Sequence, residues 1–177
     1  MGRRVRTSFV ALLVATGLAV AGPTATASAR TSGAESSRGF LVATGVSGER
    51  VVLATSIRLT GVFNGVGKIV EVPNLPTDPD NVSRDDFVFR QGTLHLVSAN
   101  QDFQFSFDPR SCRASFTVTQ LASFEGGTGL FSGATGAGTG LVEGKGILQR
   151  GSDGSCDPNL LPAFEVDNVS GTGTLTF

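Results

Sequence analysis

One imidazole, two thiols and no phenol set the chemistry open to this 177-residue chain: His95 is its single histidine, Cys112 and Cys156 are its only cysteines, and Tyr and Trp do not occur. A multi-histidine zinc site or a Cys/His cluster therefore has no ligands to draw on, and no metal is expected. His95 lies between Leu94 and Leu96, so strand alternation sets it with Thr93 and Val97, opposite the leucines. An exposed or rim position follows, and a general-base role stays open. Without a G-x-S-x-G elbow, a Ser-His-Asp triad has no local support.

Paired carboxylates for glycosidic chemistry would have to come from Glu71, Glu125, Glu143, Glu165 or Asp167, and no spacing singles out two of them. Glu71 shares parity with Phe63 and Ile69, but next to Pro73 it reads as a rim residue. Asp78, Asp80, Asp85 and Asp86 fall in one loop that could hold Ca²⁺, although Val82 stands where an EF-hand-like loop needs an oxygen. Gln120 shares a face with Ala114, Phe116, Val118, Ala122 and Phe124. If that face points inward, Gln120 must be satisfied by a neighbour, a water or a ligand, and neighbour pairing is the expected answer.

The elements that would position these groups are strands. From Phe40 onward, period-two alternation dominates and no long helical stripe occurs. Val51, Leu53, Ile57 and Leu59 share one face; residues 62–72 form a strand, ended by Pro73 and a loop over 76–86; Gln91-Gly92 turns a hairpin; Phe103, Phe105 and Phe107 alternate with polar residues up to Asp108-Pro109. Residues 114–124, 135–148 and 166–177 supply the remaining strands. Eight or nine short antiparallel strands without a helix predict an all-β fold, a barrel or a sandwich. The three phenylalanines at i, i+2 and i+4 must share a side, and the interior is the expected place for them.

Residues 1–29 read as an export signal: Arg3, Arg4 and Arg6 precede a weakly polar to apolar stretch over 9–22, and overlapping A-x-A sites end at Ala29. That stretch falls short of the roughly 20 residues that span a bilayer. Cleavage after Ala29 leaves a flexible leader, 30–37, and a single barrel domain, 38–177, with 11 basic against 15 acidic residues. A secreted, mildly acidic protein is expected, with no nucleic-acid partner and no membrane attachment after cleavage. Export places Cys112 and Cys156 where thiols oxidise, and both sit in turn-like contexts, which predicts a disulfide.

Seven glycines lie between Gly126 and Gly140, yet no phosphate-binding register can be drawn through them and no helix follows. Parity gives the better account. Gly136, Gly138, Gly140, Gly144 and Gly146 bare one face of a strand, so that bulky neighbours can pack on it and the strand can coil. Within this run, Gly126-Gly127-Thr128-Gly129-Leu130-Phe131-Ser132-Gly133-Ala134-Thr135-Gly136 resembles the G-G-T-G-x-F-x-x-A-x-G signature of plant dirigent proteins and allene oxide cyclases. The Asp108-Pro109-Arg110-Ser111-Cys112 strand end upstream is similar to that of a bacterial secreted branch. The resemblance implies an eight-stranded calycin-type barrel in which Gly127 and Gly129 make a tight turn, Phe131 acts as a plug, and Ala134 and Gly136 allow close strand contact. The families' tyrosine has no counterpart here, so their catalytic residues do not carry over.

Two functions follow as expectations. One is a secreted barrel that binds an apolar small molecule, or a partner surface, without catalysis or cofactor, with Phe103, Phe105, Phe107, Phe116 and Gln120 as binding residues. The other is an isomerase or cyclase of the allene oxide cyclase or dirigent type, in which a dry pocket shapes a hydrophobic substrate.

Overall fold

Small and apolar residues alternating with polar ones carry the chain through eight antiparallel strands, which close on themselves in sequence order in the computed structural model, described over residues 30–177. The strands are β1 (Ser32–Val46), β2 (Glu49–Gly61), β3 (Gly65–Val72), β4 (Val82–Phe89), β5 (Gly92–Phe107), β6 (Arg113–Gly127), β7 (Thr135–Ile147) and β8 (Phe164–Thr176). β1 pairs with β8, so the barrel leaves no free edge at that seam. Apart from one 3-10 turn at Gly129–Phe131, no helix forms among the described residues, and none is long and apolar enough to cross a membrane. The export signal expected over residues 1–29 lies outside the described residues.

Two boundaries differ from those expected of the sequence. Residues 32–37, expected in a flexible leader, belong to β1, paired on one side with β8 from Thr176 to Gly171 and on the other with Gly61 to Leu59. Their Ser, Gly and Ala side chains give little hydrophobic signal, and backbone ladders on both flanks hold them instead. β4 likewise begins at Val82, inside the expected loop.

Bulges explain where simple parity fails. An extra residue at Leu53, between the pairs Val42↔Ala54 and Ala43↔Val52, turns Arg50 and Val52 to the side of Ile57 and leaves Val51 and Leu53 facing out. A second bulge at Gln101 sets Phe103, Phe105 and Phe107 on the same inward register as Leu96 and Ser98. Inward register does not bury them. β4 pairs with β5 only up to Ala99, so the outer half of β5 overhangs the barrel, and the three rings remain 61%, 43% and 38% exposed. Their expected place in the interior is thus corrected to an open lip.

The opposite end is closed. Phe63, Phe89, Phe131 and Phe177 meet there at centroid distances of 5.0 to 6.3 Å over Leu59, Leu94 and Leu175. Phe131 is completely buried, presented by the 3-10 turn that follows Gly129, whose φ of 58° is the left-handed region where glycine is favoured. Thr128 Oγ1 accepts from the Thr93 N–H (3.1 Å), and Ala134 is also buried. At the open end the Cys112–Cys156 disulfide ties the β5–β6 turn to the β7–β8 connection.

Candidate functional site

The barrel lumen between plug and lip mixes apolar walls with ionisable groups, and one charge sign dominates those groups. Following the ladders around the wall, the inward positions are Glu35, Leu41 and Ala43 on β1; Arg50, Thr55 and Ile57 on β2; Ile69 and Glu71 on β3; Asp85 and Phe87 on β4; Leu96 and Ser98 on β5; Val118 and Gln120 on β6; Val142 on β7; and Glu165, Asp167 and Val169 on β8. Glu35, Glu71, Asp85, Glu165 and Asp167 thus face a lumen in which Arg50 is the only basic side chain among the described residues.

Arg50 gathers three of these carboxylates. Its Nε donates to Glu165 Oε1 (2.7 Å), its Nη2 approaches Asp167 Oδ2 (3.3 Å), and its Nη1 pairs with Glu71. The last contact bridges a weak seam. β2 and β3 pair over three residue pairs only, and nearer the mouth the Thr55 hydroxyl substitutes for the ladder, accepting from Ile69 N–H (3.1 Å) and donating to Ile69 O (2.9 Å). Burial works against the Arg50 charge, but the hydrogen bond and charge of Glu165, followed by those of Glu71, outweigh it and hold the guanidinium protonated.

Asp85 and Asp167 are not neutralised. Asp85 sits directly across from Glu71 on the paired strands, and burial first, then the Glu71 and Asp86 charges, push its carboxyl up to about 6. Asp167 is pushed up to about 6 as well, by burial first and then by Glu165 and Glu71, against the opposing pull of Arg50. Its Oδ1 is buried without a hydrogen-bond partner. A cavity of about 120 Å³ lies between these groups, walled by Leu41, Ile69, Phe87, Leu96, Val142 and Val169. Deeper, a smaller space of about 50 Å³ reaches Glu35, whose Oε2 accepts from the Phe63 N–H (2.9 Å) while Oε1 has no partner. Burial raises the Glu35 pKa, against the lowering effect of the Phe63, Ser36 and Thr60 N–H groups.

Above the charged ring stands the lip. Phe103 and Phe105 stack at 6.3 Å, Phe105 meets Phe107 at 6.0 Å, and Phe116 tilts against Phe103 at 6.2 Å. The Phe116 ring lies on Gly144, where a Cβ would collide with it, so the bare glycine face makes room for this ring in particular. Gln120 is inside and satisfied, donating from Nε2 to Asn100 Oδ1 (2.8 Å).

Of the five carboxylates weighed for glycosidic chemistry, Glu71, Glu165 and Asp167 come together, whereas Glu125 and Glu143 lie on outward registers. The aspartates expected in one loop are dispersed: Asp78 pairs with Arg84 (2.7 Å), Asp85 enters the lumen, and Asp86 pairs outside with His95 Nδ1 (2.6 Å). His95 is therefore remote from the lumen. Arg50 and Glu35 escape a reading by alternation alone. The Leu53 bulge inverts the parity that would have pointed Arg50 outward, and Glu35 sits in a stretch that reads as leader. Among the described residues no three His, Cys, Asp or Glu side chains converge to hold a metal ion. Comparison with known proteins gave no matching family model, no matching curated protein and no matching solved structure.

Proposed function

We propose that this chain is a secreted barrel that binds an apolar small molecule through its open end, without catalysis. Phe103, Phe105, Phe107 and Phe116 carry this reading: a file of rings on the lumen-facing register at the mouth of the barrel, three of them open to solvent. Soluble proteins rarely leave such apolar patches uncovered unless something binds there. Outward positions on β7 and β8 are mostly hydroxyl, amide or charged residues, such as Thr139, Glu143, Lys145, Asn168, Thr172 and Thr174, rather than an apolar belt. The disulfide fits an oxidising compartment. Fluorescence titration with neutral N-phenyl-1-naphthylamine tests the reading. Saturable binding, weakened about 10-fold by Phe105→Ala, is expected, and no binding by the wild type would overturn it.

A second reading, an isomerase or cyclase of the dirigent or allene oxide cyclase type on a hydrophobic substrate, draws support from Asp85 and Asp167. Carboxyls held near pKa 6 can donate and accept protons close to neutral pH. Turnover of a hydrophobic substrate that is lost in both Asp85→Asn and Asp167→Asn, with binding retained, would favour this reading over simple binding.

A further inference from the structure

We infer that the ligand of this lumen is an amphiphilic cation, whose ammonium or amidinium group sits against Asp167 and Asp85 while its apolar body runs out along the Phe103–Phe105–Phe116 ladder. The inference rests on the apolar-binding reading and adds the chemistry of the head group.

Charge decides it. Arg50 is shared by Glu165, Glu71 and Asp167, so one positive charge already serves three negative ones. Asp85 faces Glu71 across paired strands, where like charges repel, and it has no hydrogen-bond partner among the described residues. Asp167 is 7% exposed and lines the cavity, with one oxygen engaged by Arg50 and the other orphaned. A buried carboxylate oxygen without a donor is unfavourable, and a ligand N–H is the missing group. An anionic head group would add a further negative charge to this ring, and a neutral one would leave the excess where it is. β5, β6 and β7 line the cavity with Leu96, Ser98, Gln120 and Val142, so no lysine or arginine from the far wall competes for the position.

Size and metal chemistry point the same way. The cavity of about 120 Å³ is somewhat smaller than the roughly 150 Å³ space that takes benzene, which suits a head group with a few methylenes and leaves the remaining chain at the lip. A metal ion would need converging ligands, and the carboxylates are instead spread around Arg50 on β3, β4 and β8. Both aspartates are displaced toward pH 6, the sense expected of carboxylates that one guanidinium does not balance.

Three probes sharing one chain separate the possibilities: n-octylammonium, 1-octanol and octanoate, each titrated by displacement of N-phenyl-1-naphthylamine at pH 7.5 and 0.15 M salt. Octylammonium is expected to bind at least 10-fold more tightly than octanol, and octanoate more weakly than either. Asp167→Asn should lower octylammonium affinity about 10-fold and leave octanol unchanged, while the outward-facing control Glu143→Gln should change neither. Should the Asp167 variant fail to fold, the wild type still answers, because lowering the pH from 7.5 to 5 should bring octylammonium down toward octanol. Equal affinity for octylammonium and octanol, or tighter octanoate, overturns the cationic head group while leaving apolar binding intact. Failure of all three to displace a dye that does bind overturns this inference alone, whereas absence of dye binding removes the apolar reading and this inference together.

Discussion

Each end of the barrel is built on four phenylalanines, and the two sets have opposite fates. At the closed end Phe63, Phe89, Phe131 and Phe177 come from a turn, a strand end, a 3-10 turn and the chain end, and they converge edge to face until Phe131 has no exposure. At the open end Phe103, Phe105, Phe107 and Phe116 come from one hairpin and line up along it, with nothing opposite them. Rings contributed by separate elements can surround one another, whereas rings from adjacent strand positions can only stand in file. β3 and β4, at eight residues each, are too short to bring a facing wall to the sixteen-residue β5. One end is therefore a core and the other a surface, from the same residue type.

Phe131→Ala gives the largest expected effect. It removes the ring that touches Phe63, Phe89 and Phe177, and a loss of about 3 to 5 kcal/mol is expected from urea unfolding, because the surrounding rings cannot collapse fully into the space. A loss below about 1 kcal/mol would show that the closed end is as loose as the open one. Next comes the staple at the lip. Replacing Cys112 and Cys156 with Ser frees a segment with a sequence separation of 44 and should lower stability by about 2 to 4 kcal/mol. Mass spectrometry before and after reduction and alkylation checks the bond itself, and two free thiols in the unreduced protein would remove it from the account.

Much of this contrast is legible in the sequence, but unevenly. Alternation gives the all-β strands and the hairpin at Gln91-Gly92, and the bare face of Gly136 to Gly146 does point inward, with Phe124 and Phe116 against it. The lip is not legible in the same way, because parity reports side, not cover: Phe105 has the inward register, yet its exposure depends on how far β4 extends. The charged ring is only partly visible. Glu165 and Asp167 share parity, but Arg50 is hidden by the Leu53 bulge, and Asp85 stands in a run of aspartates that alternation sends to opposite faces. Irregular residues that shift register carry no strong signal of their own, and the site residues lie just beyond them.

Acidity supplies the third test, because the charged ring exists only at the open end. Asp85 and Asp167 have folded-state pKa values raised from 3.8 to about 6, so between roughly pH 4 and 6 the folded protein holds protons that the unfolded chain has released. Stability from these groups is therefore higher in acid and falls as pH rises through 6. Wild-type protein without ligand should be on the order of 2 kcal/mol more stable at pH 5 than at pH 7.5. Asp167→Asn should remove a large part of this dependence, with the remainder belonging to Asp85 and Glu35. A wild type more stable at pH 7.5 than at pH 5 would mean that the ring is neutralised in solution by a cation already bound.

The smallest effect on stability is expected from Phe105→Ala, and it discriminates most sharply between the two ends. Phe105 is 43% exposed and its ring stands in file between Phe103 and Phe107, so its removal opens the lip without leaving an enclosed void. Truncation there should cost less than about 1 kcal/mol, against about 3 to 5 for Phe131→Ala, since the cavity term that dominates core truncations has nothing to act on. Binding should respond in the reverse order. Phe105→Ala weakens the neutral probe about 10-fold, because part of the apolar platform above the cavity is gone, whereas a surviving Phe131 variant changes the probe affinity less. A Phe105 variant destabilised by more than about 3 kcal/mol would mean that the lip is packed against something in solution. A variant unchanged in both stability and binding would place the ligand elsewhere on the barrel, and the open end would then be a surface without an occupant.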